Sequence, residues 1–248
     1  MQNPKYLVKN ERMVRRYDLR NLGSSLMDAF NLEYGILATL WSLITRPGKS
    51  TKHYLSDGRL KYFSPFRLLI LSTALLLILI QSSDMASNFE EGFMMSVEEN
   101  NQGEAEAKKF EAQKVAHRIA LIFQEYFNIL LWLYIPIISL FTFLFNRKKN
   151  LNYAEHVVFN TYYTSVINLF SVILVPGYFF GYESIMMYIY LILSIGYFIW
   201  YYRELFEKSW GRALLDTILA SLISFTIYSL GTGFLIGAAL ASGIIPMN

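Results

Sequence analysis

The chain has 248 residues, of which 54% are hydrophobic and 17% charged, and its mean hydropathy is +0.32. Soluble domains carry about 25% charged residues, and here the charges sit in blocks between long uncharged runs, which excludes intrinsic disorder and argues against an ordinary soluble enzyme. The absence of cysteine excludes disulfides, thiolate metal sites and cysteine nucleophiles, and the net charge of +3 matters less than where its charges lie.

Residues 1–25 form a basic arm: Lys5, Lys9, Arg12, Arg15, Arg16 and Arg20 stand against Glu11 and Asp18. It has no apolar segment of the signal-peptide kind, so the first span is expected to direct insertion. It also lacks interleaved aromatic residues, so nucleic acid is not an expected partner; the arm reads as a solvated tail obeying the positive-inside rule, with binding to an anionic lipid surface as the alternative. The spacing over 26–45 predicts an amphipathic helix. Leu26, Phe30, Leu37, Leu40, Trp41 and Ile44 share an apolar face; Asp28, Asn31, Gly35, Thr39, Ser42 and Arg46 fall opposite. Arg46-Pro47-Gly48 ends that helix. A basic connector, 49–63, follows.

Ser64-Pro65 marks a helix start. The first span is expected over about 65–82. An acidic segment, 83–118, holds eight carboxylates and four basic residues, becoming helical from about 103. Further spans are expected over about 122–145 (with Pro136 as a kink), 154–175 (closed by Pro176-Gly177), 184–202 and 213–241. The fourth ends in Tyr197, Phe198, Trp200, Tyr201 and Tyr202, a cluster suited to the membrane interface. The fifth is expected to continue through Gly231-Thr232-Gly233, because the piece beyond is too short to cross alone. The expected organisation is a cytoplasmic part, 1–63, and a membrane part, 64–248.

With the N-terminus inside, 18 of the 22 Lys and Arg residues fall on cytoplasmic segments. This asymmetry predicts an all-α bundle of five transmembrane helices, N-terminus in and C-terminus out.

The connector reads Arg46-Pro47-Gly48, Tyr54, Gly58-Arg59, Tyr62 and Pro65 ahead of a span. Asn152-Tyr153-Ala154-Glu155-His156-Val157-Val158-Phe159 opens another. In this order the two motifs resemble a bacterial polytopic membrane family classified only as a domain of unknown function, over roughly residues 25–175. Many of its members begin with a cysteine-rich, zinc-ribbon-like segment, which has no counterpart in a chain without cysteine. The resemblance implies a multi-pass location in a bacterial cytoplasmic membrane and no particular reaction.

Two residue sets stand out. Arg46, Arg59, Lys61 and Arg67 collect basic groups at one membrane face, where guanidinium forks suit a phospholipid headgroup. The competing reading is positive-inside anchoring by snorkelling side chains. In the third span His156, Asn160, Thr164 and Asn168 recur every four residues, with Glu155 beside them. A hydrated path or proton site is one reading, and hydrogen-bonded glue between helices is the other. Glu125 is the carboxylate expected within the second span, either as a coupling residue or at the interface. Gly233, Gly237 and Ala241 form a small-residue face for packing or for a homo-oligomer.

The three histidines lie in separate segments, so neither a metal centre nor a cofactor is expected. The functional reading is a non-enzymatic membrane protein that interacts with lipid or takes part in transport. The alternatives are an assembly or signalling partner docking through the acidic loop, and a membrane enzyme using Glu155 and His156.

Overall fold

The computed structural model describes residues 6–9, 12–15, 32–56, 61–81, 106–149 and 151–241. Within the basic arm, β1 (Tyr6–Lys9) and β2 (Arg12–Arg15) pair antiparallel, with Tyr6 opposite Arg15. The rest of the described chain is helical: α1 (Leu32–Thr45), α2 (Pro47–Leu55), α3 (Pro65–Gln81), α4 (Glu106–Phe145), α5 (Tyr153–Phe179), α6 (Glu183–Phe206) and α7 (Trp210–Ala241).

Three helical stretches are long and apolar enough to cross a membrane: Tyr153–Gly177, Ser184–Phe206 and Trp210–Ala238. Three shorter apolar stretches, Gly35–Thr45, Pro65–Ile80 and Ile129–Phe145, lie on α1, α3 and α4. The outward faces agree with a hydrocarbon solvent. Ile185, Tyr188, Ile192 and Ile195 on α6 are exposed, as are Leu222, Phe225, Leu230 and Phe234 on α7. Apolar surface this continuous is not left facing water. At 1.5 Å per residue the 40 residues of α4 span about 60 Å. That is twice a hydrocarbon core of about 30 Å, so its charged N-terminal part continues beyond one.

α5 sits at the centre, against α1, α2, α3, α4 and α6. α7 packs on α4 and α6 from outside, and the α1–α2 pair covers the α6 end. The core is aromatic. Phe159, Tyr162, Tyr201, Tyr202 and Phe206 are all essentially inaccessible, and Phe159 meets Tyr201 edge-to-face at 4.7 Å and stacks on Phe198 at 5.8 Å.

Several expectations are corrected here. The aromatic cluster at the end of α6 does not form an interfacial belt: Tyr197, Phe198, Tyr201 and Tyr202 are core residues. Their hydroxyl groups find partners inside, as buried tyrosines require; Tyr197 Oη donates to Leu43 O at 3.0 Å. On α1 the buried face is Ile36, Thr39 and Leu43, while Leu37, Trp41 and Ile44 point outward. Thr39, expected opposite the apolar face, therefore lies on the buried one. Its hydroxyl bonds Gly35 O and accepts from Phe63 N at 2.8 Å, tying α1 to the start of α3. α5 runs past Pro176 to Phe179, since a proline one turn from a helix end removes little of the ladder. The reversal comes at Gly181, whose φ of 76° suits glycine, where Tyr182 N bonds Gly177 O at 3.1 Å. α7 is one continuous helix through Gly231-Thr232-Gly233. Leu26 and Phe30 of the expected amphipathic helix, and 82–105 of the acidic segment, lie outside the described residues.

Candidate functional site

The Arg46-Pro47-Gly48 turn builds the site. Pro47 opens α2 at its first position, where the missing N–H costs nothing. Ser50 Oγ lies 2.9 Å from Ser42 O and 2.8 Å from Arg46 O and shares its one proton between them, which sews the bend. Gly48 N donates to Glu204 Oε2 on α6 at 2.9 Å, so a carboxylate meets the positive end of α2. Thr51 bonds Tyr201. Lys52 pairs with Glu207, just past α6, and that hydrogen bond and charge hold the Glu207 carboxyl below the usual carboxylate range.

The fixed bend frames a groove of about 530 Å³ lined by Trp41, Ser42, Thr45, Arg46, Lys49, Ser50, His53 and Tyr62. His53 and Tyr62 meet edge-to-face at 5.5 Å. Arg46, Lys49 and His53 are exposed. Among the described residues no carboxylate pairs with Arg46 or Lys49. Lys61 and Arg67 are exposed near the start of α3 but do not line the groove, and Arg59 lies outside the described residues.

The polar ladder of α5 is turned inward. Glu155 serves the helix start: its Oε2 accepts from Asn152 N at 2.7 Å while Asn152 Oδ1 accepts from Glu155 N at 3.0 Å, a reciprocal capping box. Asn152→Ala removes half of it and is expected to cost about 1 kcal/mol, read as a lower thermal midpoint in detergent. His156 is fully buried. Thr142 Oγ1 uses its one proton on Ser139 O at 3.1 Å, so His156 Nδ1 is the donor in their 3.1 Å contact. His156 Nε2 is then an acceptor, stacked on Phe206 at 5.1 Å and without a partner among the described residues.

Asn160 Nδ2 reaches Ser139 Oγ and Thr142 Oγ1, each at 3.1 Å, joining α5 to α4. Asn168 Nδ2 reaches Thr73 Oγ1 at 3.0 Å, joining α5 to α3. Thr164 donates to Asn160 O. Asn160 Nδ2 also donates to His156 O within α5 at 2.9 Å, so its bonds serve both its own helix and the contact with α4, while those of Asn168 run between helices. Thr164 and Asn168 also line a second cleft, away from the first. Glu125 lies on α4 with its side chain outside what is described. Gly233 and Gly237 face outward with open space beside them, and the side chain of Ala241 is outside what is described.

Sequence reasoning missed Glu204, Tyr201 and Asp216. Asp216 is buried beside Lys208 and lies 3.1 Å from Arg212 Nε. The available signal was a carboxylate one turn inside an apolar run, with basic residues four and eight positions before it. Among the described residues no group of three His, Asp or Glu side chains converges as a metal site.

Residues 33–77 match a family described as "Protein of unknown function (DUF3667)". The matched stretch runs from α1 through the Arg46-Pro47-Gly48 bend to most of α3. Neither a curated protein nor a solved structure matches the chain.

Proposed function

We propose that this chain is a multi-pass protein of a bacterial cytoplasmic membrane, with five spans and its N-terminus inside, that binds an anionic phospholipid headgroup without chemical conversion. One observation carries the reading: the groove unites Arg46, Lys49 and His53 with Trp41 and Tyr62, and the described residues include no carboxylate that neutralises Arg46 or Lys49. Guanidinium and ammonium groups suit a phosphate, and aromatic rings suit the headgroup depth. Arg67 and Lys61, both exposed near the start of α3, add further basic groups to this part of the chain. The α3 and α4 apolar stretches make up five spans with the three longer ones, and the outward Leu37, Trp41 and Ile44 support α1 lying against the bilayer surface.

The test is native mass spectrometry of the purified protein with phosphatidylglycerol or phosphatidylcholine added. Retention of phosphatidylglycerol should exceed that of phosphatidylcholine. Arg46→Ala combined with Lys49→Ala should lower it about tenfold, roughly 1.4 kcal/mol, with an unchanged thermal midpoint because both side chains are exposed. Equal retention of the two lipids, or full retention by the double variant, defeats the proposal.

A further inference from the structure

A cleft of about 330 Å³ opens between α4, α5, α6 and α7. Its wall includes Tyr134, Tyr163, Tyr190, Tyr228 and Phe225, with Thr164 and Asn168 at the α5 side. Its volume is at the lower end of small-molecule sites, about 300–1,000 Å³. Phe225 is exposed, so the cleft is open at the apolar surface.

Depth and chemistry narrow the occupant. Tyr163 lies ten residues into α5 and Tyr134 eleven before the end of α4, each about 15 Å from its helix end. That is near the middle of a hydrocarbon layer of about 30 Å. Tyrosines favour the two interfaces. A hydroxyl at mid-depth has no water to bond and needs a partner. Tyr163 Oη has one, Ser194 O at 3.2 Å. The Tyr134 and Tyr228 rings meet edge-to-face at 5.6 Å, but neither hydroxyl has a hydrogen-bond partner among the described residues. Two donors thus stand unclaimed in an aromatic cleft.

No charged side chain lines the cleft, so nothing there offsets the burial of a phosphate, carboxylate or ammonium. Phospholipid ester carbonyls are held near the surface by their headgroups and do not reach this depth. The occupant must be neutral, without a headgroup, and must present carbonyl oxygens on a flat body that packs against ring faces and edges.

We propose that this cleft binds a membrane-dissolved quinone-type ring, with the Tyr134 and Tyr228 hydroxyls donating to its carbonyl oxygens. The site is separate from the basic groove and does not depend on it.

The probe is decyl-substituted benzoquinone, titrated into the full chain in phosphatidylcholine nanodiscs. The readout is quenching of tryptophan fluorescence, since Trp132 lies two residues from Tyr134. Saturable quenching is expected. Tyr134→Phe combined with Tyr228→Phe keeps both rings and removes both hydroxyls, and it should raise Kd at least tenfold with an unchanged thermal midpoint. Tyr228→Phe alone, on the less buried ring, should raise Kd severalfold and serves if the double variant fails to fold. Quenching that grows linearly with quinone, as for partitioning into the bilayer, overturns the proposal, as does a Kd unmoved by losing the hydroxyls. Displacement of the quinone by an equal concentration of dioleoylglycerol overturns the ring assignment.

Discussion

Gly48→Ala is expected to cost about 3 kcal/mol, at the upper end of overpacking substitutions. An added Cβ would sit 2.4 Å from Leu205 N, 2.6 Å from Glu204 C and 2.8 Å from Glu204 Cβ. Two of these are backbone atoms of α6, so no rotamer change makes room. The methyl group forces α2 away from α6, and with that displacement go the Gly48 N–Glu204 bond and the Thr51–Tyr201 contact. Gly237→Ala is the matched control. It lies in α7 with nothing within 4 Å of its would-be Cβ, and alanine is the better helix former there by about 1 kcal/mol. Thermal unfolding in detergent should show a large drop for the first variant and no drop for the second. Equal behaviour would mean that the α2–α6 contact contributes little to holding the fold.

Asp216→Asn is expected to cost a similar amount, about 3 kcal/mol, because breaking a buried ion pair strands its partner charge. The Asp216 and Lys208 side chains are only 4% and 14% exposed. Lys208 also lies over the Tyr202 and Phe206 rings, at 5.2 and 5.9 Å, and cannot escape to water without disturbing that core. Lys208→Met should cost much less. Arg212 still reaches Asp216 at 3.1 Å, and the methionine keeps the apolar contact with the rings. The comparison of thermal midpoints decides it: if Asp216→Asn loses no more than Lys208→Met, the stranded-charge argument is wrong. Phe206 stacks on His156, so the damage from Asp216→Asn should extend into the polar contacts between α4 and α5.

The helices were legible because each apolar run is long and local rules mark its ends. Pro65 opens α3, and Asn152 with Glu155 caps α5. The inward polar spacing of α5 was legible too, since a period of four in an apolar helix has one meaning for direction, though not for purpose. What was hidden depends on residues far apart in the chain. Nothing near Gly48 announces Glu204, and nothing near Thr51 announces Tyr201. The tyrosines of α6 read as an interfacial belt because composition reports what a side chain tolerates, not what surrounds it. Thr39 reads as opposite the apolar face for the same reason: one hydroxyl on α1 is invisible until Phe63 N arrives to bond it. The basic groove was half-legible. Arg46 and Lys49 read as basic neighbours at one membrane face, but His53 and Trp41 join them only because the bend folds α1 against α2.

The distance along the chain between Gly48 and Glu204, 156 residues, also has a temporal meaning. At about 5–20 residues per second, a ribosome releases α6 about 8–30 s after it releases the bend. For that interval the α1–α2 hairpin is present without the surface that receives it, while α3, α4 and α5 are already being laid down. Its closure is therefore among the last acts of assembly. A nascent chain halted before residue 204 should leave the hairpin open to proteolytic cutting, and a finished one should protect it.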